Sequence, residues 1–143
     1  MTPRALMLES AVRTLYPLLL AASLWLLLRG HNAPGGGFVG GLVAVSASAA
    51  YAIAFGARRA RLRMPLGPPA LAAAGVLMAL ASGLPAALLG LPFLTHLWTT
   101  LPLGVVDLPL STVMLFDLGV YCCVWAAVGG YCLELLGAQE HNT

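Results

Sequence analysis

The sequence predicts an all-α polytopic membrane protein with four transmembrane helices, built as a single domain over residues 1–143. Of the 143 residues, 60% are hydrophobic and 8% are charged, and the mean hydropathy of +0.91 is typical of a bilayer protein. Lipid offers the backbone no hydrogen-bond partners, so an open chain crosses it as helices and no strand is expected. Each apolar segment approaches or exceeds the roughly 20 residues that a spanning helix needs. The segments cover residues 12–28, 38–55, 69–91 and 110–136.

All seven basic residues are arginines, and their placement predicts the orientation of the chain. Arg4 and Arg13 precede or begin the first segment, and Arg29 lies at its other end. Short loops on the cytoplasmic side of a membrane are enriched in arginine, so both termini and the second connection are predicted to be cytoplasmic. Nucleic-acid binding is the less favoured interpretation of that connection, which carries Arg58, Arg59, Arg61 and Arg63.

A glycine-rich turn over residues 30–41 separates the first two segments. Asn32 can cap the helix that follows, and Pro34 fits a first helical turn, where a missing N–H costs little. Phe38 is expected to begin the second helix and to pack against whatever covers the turn. The turn is therefore predicted to act as a hinge and packing element through Pro34, Gly35, Gly36, Gly37 and Phe38.

Small residues recur at every fourth position along the second segment. On a helix this spacing forms a flat stripe, against which another helix can pack at backbone distance. The stripe is expected to contact helices of other proteins, with packing inside the chain as the open alternative. It consists of Gly36, Gly40, Ala44, Ser48, Ala52 and Gly56, and a second row begins at Gly37 and Gly41.

The third segment contains Pro85, which removes one helical hydrogen bond. A bend is therefore predicted near Ala81 and Ser82, and a static kink is favoured over a moving hinge. The segment repeats the four-residue spacing of small residues more weakly, at Gly75, Ala79, Gly83 and Ala87.

Asp117, in the fourth segment, is the residue that a bilayer makes most costly. If Pro109 occupies the first turn of the helix, Asp117 lies about 12 Å along it. Tyr121 follows Asp117 by four residues and is expected to donate a hydrogen bond to the carboxylate. Asp117 is then either a proton or sodium relay or a polar clasp between helices. The candidate ion-pathway residues are Asp117, Tyr121, His31 and Asn32, although a histidine at a membrane edge more often forms interfacial hydrogen bonds.

No enzyme motif is found, so no catalytic residue is expected. Gly35-x-Gly37-x-x-Gly40 matches a dinucleotide-binding pattern formally, but it follows an apolar helix and not a strand. The three histidines stand apart from ligands at metal-binding spacing, so neither a metal site nor a bound cofactor is expected. The three cysteines lie in one apolar run and are interpreted as small apolar residues.

Three motifs give the chain a family resemblance. Gly-His-Asn-x-Pro-Gly-Gly-Gly-Phe-x-Gly-Gly at 30–41, Pro-Phe-Leu-Thr-His at 92–96 and Leu-Phe-Asp-Leu-Gly-Val-Tyr at 115–121 stand in order along the chain. They resemble motifs of the MnhB/MrpB family, whose members are small subunits of the multi-subunit Mrp cation/proton antiporter of prokaryotes. The chain departs from the family after Tyr121, where aliphatic residues would be expected.

The resemblance implies a multi-pass protein of the prokaryotic cell (inner) membrane that works with other Mrp subunits, including large complex I-like ones. The complex would export Na⁺ in exchange for H⁺, driven by proton motive force, and so support pH and sodium homeostasis. Na⁺ and H⁺ would then be transported ions. The lipid bilayer would surround the protein, and no nucleic acid is expected as a partner. The alternatives are a homologous subunit of a membrane-bound hydrogenase or related respiratory complex, and an independent four-helix small exporter.

Overall fold

The computed structural model describes residues 3–30, 36–102 and 107–141. Two short strands, β1 (Trp98–Pro102) and β2 (Asp107–Ser111), lie between the fifth and sixth helices. The helices are α1 (Pro3–Arg29), α2 (Gly37–Phe55), α3 (Ala57–Arg63), α4 (Pro68–Ala81), α5 (Leu84–Leu88) and α6 (Thr112–His141).

Four helical stretches of the described chain are long and apolar enough to cross a membrane, which confirms the predicted fold class. α1, α2 and α6 supply one stretch each. The third, Ala57–Leu88, runs from α3 through α4 and α5, and its apolar part is α4 with α5. α1 and α6 extend past the predicted apolar segments into polar sequence. The added residues, 3–11 at the start of α1 and 137–141 at the end of α6, include alanine, leucine, methionine and glutamate, which are good helix formers.

The four spans pack side by side in the order α1, α2, α6, α4. The extensive helix contacts are those of α1 with α2, of α2 with α6 and of α6 with α4, whereas α1 touches α6 only slightly. α6 and α2 therefore hold the middle of the row. Lipid solvates apolar side chains well, so an open row of helices does not have to close into a bundle to bury them.

α2 and α4 pack on opposite sides of α6. α3 connects α2 to α4 and therefore crosses one end of α6. Its inward face buries Ala57, Ala60 and Met64. The corners before and after α3 are Gly56 (φ 92°) and Gly67 (φ 74°), which adopt a backbone region that only glycine enters at little cost.

The predicted break at Pro85 is confirmed. α4 ends at Ala81 and α5 begins at Leu84, because Pro85 has no N–H to donate to the carbonyl of Ala81. The ring of Phe93 packs against the break, where a Cβ added to Gly83 would lie 2.6 Å from its Cε2 atom.

An antiparallel hairpin joins the third span to the fourth, contrary to the expectation that the chain contains no strand. In it Trp98 pairs with Ser111 and Thr100 with Pro109. The expectation was wrong here because backbone groups outside the bilayer core are free of the constraint that makes spans helical. Pro109 therefore lies in β2 and not in the first turn of α6. The helix start is marked by Ser111, whose Oγ accepts the N–H of Val113 at 3.1 Å.

Candidate functional site

α6 donates hydrogen bonds to serines on two other spans. The hydroxyl of Ser23 on α1 donates to the carbonyl of Leu20 (2.8 Å), so its oxygen accepts the hydroxyl of Tyr121 at 3.0 Å. Ser48 on α2 likewise donates to the carbonyl of Ala44 (3.0 Å) and accepts the indole N–H of Trp125 at 2.8 Å. Both bonds are buried. They fix the register of α6 against α1 and α2.

The expected hydrogen bond from Tyr121 to Asp117 is not formed. Residues four apart lie on one helix face, but the long tyrosine side chain extends across to α1 and ends at Ser23. This pairing joins residues 98 positions apart, so helical spacing within α6 carried no signal for it.

Removal of the Tyr121–Ser23 bond is expected to destabilise the chain modestly. Tyr121→Phe and Ser23→Ala are each expected to cost about 1 kcal/mol, and the double variant about the same as either, because they remove one shared bond. Thermal unfolding in detergent measures the effect. Ser46→Ala is the matched control, since the hydroxyl of Ser46 donates to the carbonyl of Leu42 in its own helix. Strictly additive losses in the double variant would argue against a bond between the two hydroxyls.

The small-residue stripe of α2 packs inside the chain, so the expectation of a foreign partner helix was wrong for this stripe. A Cβ at Gly40 would lie 2.7 Å from the carbonyl oxygen of Ser23, and one at Gly41 would lie 2.8 Å from the Cβ of Val124. Four-residue spacing shows that a helix approaches closely but does not show which one. The buried members of the two rows are Gly36, Gly37, Gly40, Gly41, Ala44, Ser48 and Ala52.

The weaker stripe of the third span also packs inside the chain. A Cβ at Gly75 would lie 2.7 Å from the carbonyl oxygen of Gly119, and one at Gly119 would lie 2.6 Å from that of Gly75. The thiol of Cys123 adds a contact, 3.6 Å from the carbonyl of Ala72. α6 is therefore held by close backbone contact on both sides.

Asp117 lines a groove of about 670 Å³ that lies over α6, between the end of α1 and α5. It is half-buried and is the ionisable residue among the described lining side chains. No described residue provides a hydrogen-bond donor to its carboxylate. Apart from Ser111 and Thr112, the rest of the lining is apolar, formed by Leu27, Leu28, Pro85, Leu97, Met114, Leu115 and Leu118.

Asp117 lies beside the N-terminal end of α2. A Cβ at Gly36 would be 3.5 Å from its carboxylate oxygen, and one at Gly37 would overlap its backbone carbonyl oxygen. The dipole of α2 stabilises a negative charge at this position. Because α6 begins at Thr112, Asp117 is about 8 Å along the helix, which is shallower than the 12 Å predicted from Pro109.

Part of the predicted hinge lies outside the described residues, namely His31, Asn32, Pro34 and Gly35. Gly36, with φ 92°, donates its N–H to the carbonyl of Leu26 at 3.0 Å, which ties the start of α2 to α1. Phe38 is 59% exposed, so its side chain is available to a neighbour outside the chain, and its role as a packing knob stays a prediction.

A cluster of arginines and aromatic rings holds the opposite end of the row. The guanidinium of Arg63 lies 4.9 Å from the ring centroid of Tyr51 and 5.6 Å from that of Tyr16. The two tyrosine rings are 5.0 Å apart. Cation–π contacts of this kind contribute about 0.5–1 kcal/mol each at exposed sites. Sequence reasoning missed this cluster because its members come from three separate elements.

Among the residues that the structure describes, no three His, Cys, Asp or Glu side chains come together in a way that would hold a metal ion. The groove offers one carboxylate, that of Asp117, among mostly apolar side chains, with close backbone packing behind it.

Comparison with known proteins identifies the family. Residues 7–130 match the model of a domain related to the MnhB subunit of a Na⁺/H⁺ antiporter. The chain belongs to this family. This MnhB-family chain is 38% identical over 136 residues to a Na⁺/H⁺ antiporter protein of Bacillus subtilis that is named as the B-type component, with 94% of each chain covered. It is 34% identical over 119 residues to a protein of the same name from Alkalihalophilus pseudofirmus, covering 82% of this chain and 83% of the relative.

In two further matches, the MnhB-like part belongs to a much longer polypeptide. A relative from Rhizobium meliloti, named as the combined A/B component of a probable K⁺/H⁺ antiporter, is 34% identical over 118 residues, which are 81% of this chain and 12% of the relative. A chain in the solved structure of the Mrp complex from a Dietzia species matches with a TM-score of 0.80 and 36% identity. That match covers 94% of the MnhB-family chain and 14% of the solved chain.

Proposed function

We propose that the chain is a small membrane component of a multi-subunit Mrp-type antiporter, which exports Na⁺ in exchange for H⁺ under proton motive force and supports pH and sodium homeostasis. The observation that carries this proposal is the match of 94% of the chain to part of the solved Mrp complex at 36% identity. The relatives named as Na⁺/H⁺ antiporter components support the same activity over a role in a hydrogenase or as an independent exporter.

Other subunits are needed for transport in this proposal, since the described part of the chain offers no continuous proton path. The Tyr121–Ser23 and Trp125–Ser48 bonds follow one another along α6. An indole N–H only donates, so Trp125 cannot pass a proton onward. Large complex I-like subunits would supply the proton path. The long relative that combines the A and B components in one chain supports an A-type neighbour.

Antiport in everted membrane vesicles tests the proposed function. Vesicles from antiporter-deficient cells carry the full set of subunits, the set without this chain, or this chain alone. Addition of NaCl or KCl to respiring vesicles is expected to dissipate the pH gradient only with the full set. KCl is included because one relative is named as part of a K⁺/H⁺ antiporter. Antiport by the chain alone would identify an independent exporter and refute the proposal.

We also propose that Asp117 takes part in ion transfer within the complex. Three features support this role: the carboxylate lines an otherwise mostly apolar groove, receives no hydrogen bond from the described residues, and lies about 8 Å along a helix that is long and apolar enough to cross a membrane. A carboxylate placed in this way has to be met by a cation, a proton or a donor from a neighbouring subunit.

We propose further that both termini and α3 are cytoplasmic. Arg13 of α1 lies over the ring of Phe55 at 5.8 Å, and Arg61 of α3 forms an ion pair with Glu134 of α6. The first part of α1, the whole of α3 and the last part of α6 therefore share one end of the row. Six of the seven arginines belong to these parts of the chain, which favours the cytoplasm for that end.

Cysteine labelling tests this orientation. In a background without the three native cysteines, Arg59→Cys and His96→Cys place single thiols at opposite ends of the row, both at exposed positions. An impermeant maleimide added to intact cells is expected to label position 96 and to leave position 59 unlabelled until the cells are opened. Labelling of position 59 from outside would reverse the orientation.

A further inference from the structure

We propose that α3 and the adjoining face of α6 form a binding site for the headgroup of an anionic phospholipid, such as phosphatidylglycerol. This inference goes beyond antiport and does not depend on which cation the complex carries. It rests on the packing of α3, on the charge that α3 leaves uncompensated, and on a cleft beside it.

The packing of α3 leaves one face directed away from the protein. Ala57, Ala60 and Met64 are buried under the helix. Arg58 and Arg59 are therefore exposed, and Leu62, one turn further along, is 81% exposed.

Two of the four arginines in this connection are already engaged within the chain. Arg61 forms an ion pair with Glu134, and Arg63 lies over the rings of Tyr16 and Tyr51. For Arg58 and Arg59, the described chain provides neither an ion-pair partner nor a ring contact. Their two positive charges are thus available to an anionic group from outside the protein.

A cleft of about 430 Å³ lies in the angle between α3 and α6 and has room for such a group. Arg58, Arg61 and Glu134 are its charged lining residues, so they leave the cleft with a net charge of +1. A phosphodiester carries a charge of −1, and guanidinium groups bind phosphate oxygens in a bidentate manner. The remaining lining is apolar and, apart from Leu133, small, since it consists of Ala57, Gly137 and Ala138.

The exposed leucines favour a lipid over free phosphate. Leu62 is 81% and Leu66 is 73% exposed, next to the arginines and at the end of the spans. Helices that lie in the membrane interface combine these features, since their apolar side chains enter the acyl region while arginines reach the headgroups. Free phosphate would engage the arginines but would leave the leucines in water.

Lipid titration of the purified antiporter complex, followed by native mass spectrometry, tests this site. Phosphatidylglycerol is expected to bind more tightly than phosphatidylcholine with the same acyl chains. An arginine near a membrane surface is worth about 1 kcal/mol toward anionic lipid, or about five-fold in affinity, so Arg58→Gln with Arg59→Gln is expected to weaken the tightest phosphatidylglycerol binding by about 25-fold. Arg29→Gln is the control, because it removes one arginine at the end of the row opposite α3. It is expected to leave phosphatidylglycerol binding unchanged.

Three results would overturn the proposal. The first is equal phosphatidylglycerol binding by the wild type and the double variant at an unchanged unfolding temperature. The second is displacement of the lipid by millimolar inorganic phosphate, which would assign the cleft to a soluble anion. The third comes from a photo-crosslinking amino acid at Leu62 in native membranes, where an adduct with a polypeptide would assign this face to a neighbouring subunit. An adduct with phospholipid supports the proposal.

Discussion

Asp117→Asn is expected to leave the antiporter complex assembled while lowering cation/proton exchange by on the order of 100-fold, the lower end of what a positioned proton-transfer group contributes. The amide keeps the size of the side chain and its capacity for hydrogen bonds but cannot titrate. The readouts are dissipation of the pH gradient in everted vesicles and recovery of the other subunits with this chain.

The control for this substitution is Glu134→Gln, which removes a carboxylate from the other end of the same helix. Glu134 is exposed and pairs with Arg61 outside the groove, so antiport is expected to persist. If Asp117 only clasps a neighbouring helix, antiport persists with Asn and fails with Leu. Wild-type exchange in an assembled Asp117→Asn complex, at every pH and Na⁺ concentration, would remove this residue from ion transfer.

Gly37→Leu is expected to prevent the chain from folding. Even a Cβ at this position would overlap the backbone carbonyl of Asp117, and backbone cannot move aside as a flexible side chain can. α2 and α6 would have to separate, at a cost of at least about 3 kcal/mol. Loss of the chain from membranes and from the purified complex, measured by immunoblotting, is the expected result.

Gly137→Ala is the matched control for Gly37→Leu. Its added Cβ would lie 3.6 Å from the Cβ of Ala57, which is an ordinary contact, and alanine favours the helix over glycine. Its abundance in the membrane is expected to equal or exceed that of the wild type. Normal abundance of a Gly37→Leu chain in the assembled complex would mean that α2 and α6 are not in backbone contact at this position.

The spans and the break in the third helix could be predicted from sequence because both depend on local rules. Apolar length sets a crossing of the bilayer, and Pro85 lacks the N–H that a continuous helix requires. The family could be recognised because its motifs lie at fixed positions in the order of the chain. The start of α6 was misplaced because Pro109 fits a helix start or a strand equally well, and Ser111 gave the better capping signal.

The neighbours of each helix could not be predicted. The small-residue stripe of α2 predicts that another helix packs closely against it. Gly40 gives no indication that the residues it contacts are Ser23 and Tyr121. For Tyr121, helical spacing favoured Asp117, four residues away, as the hydrogen-bond partner, whereas the actual partner is Ser23. Such pairings depend on the order of the helices in the row, which joins residues that are far apart along the chain.

The central claim is that this chain works as one component of an Mrp-type antiporter. Affinity purification of the tagged chain from its native membrane in mild detergent, with the components identified by mass spectrometry, tests that claim most directly. The predicted result is recovery together with large antiporter subunits, including one of the A type. Recovery of the chain alone, or together with subunits that carry redox centres, would contradict it.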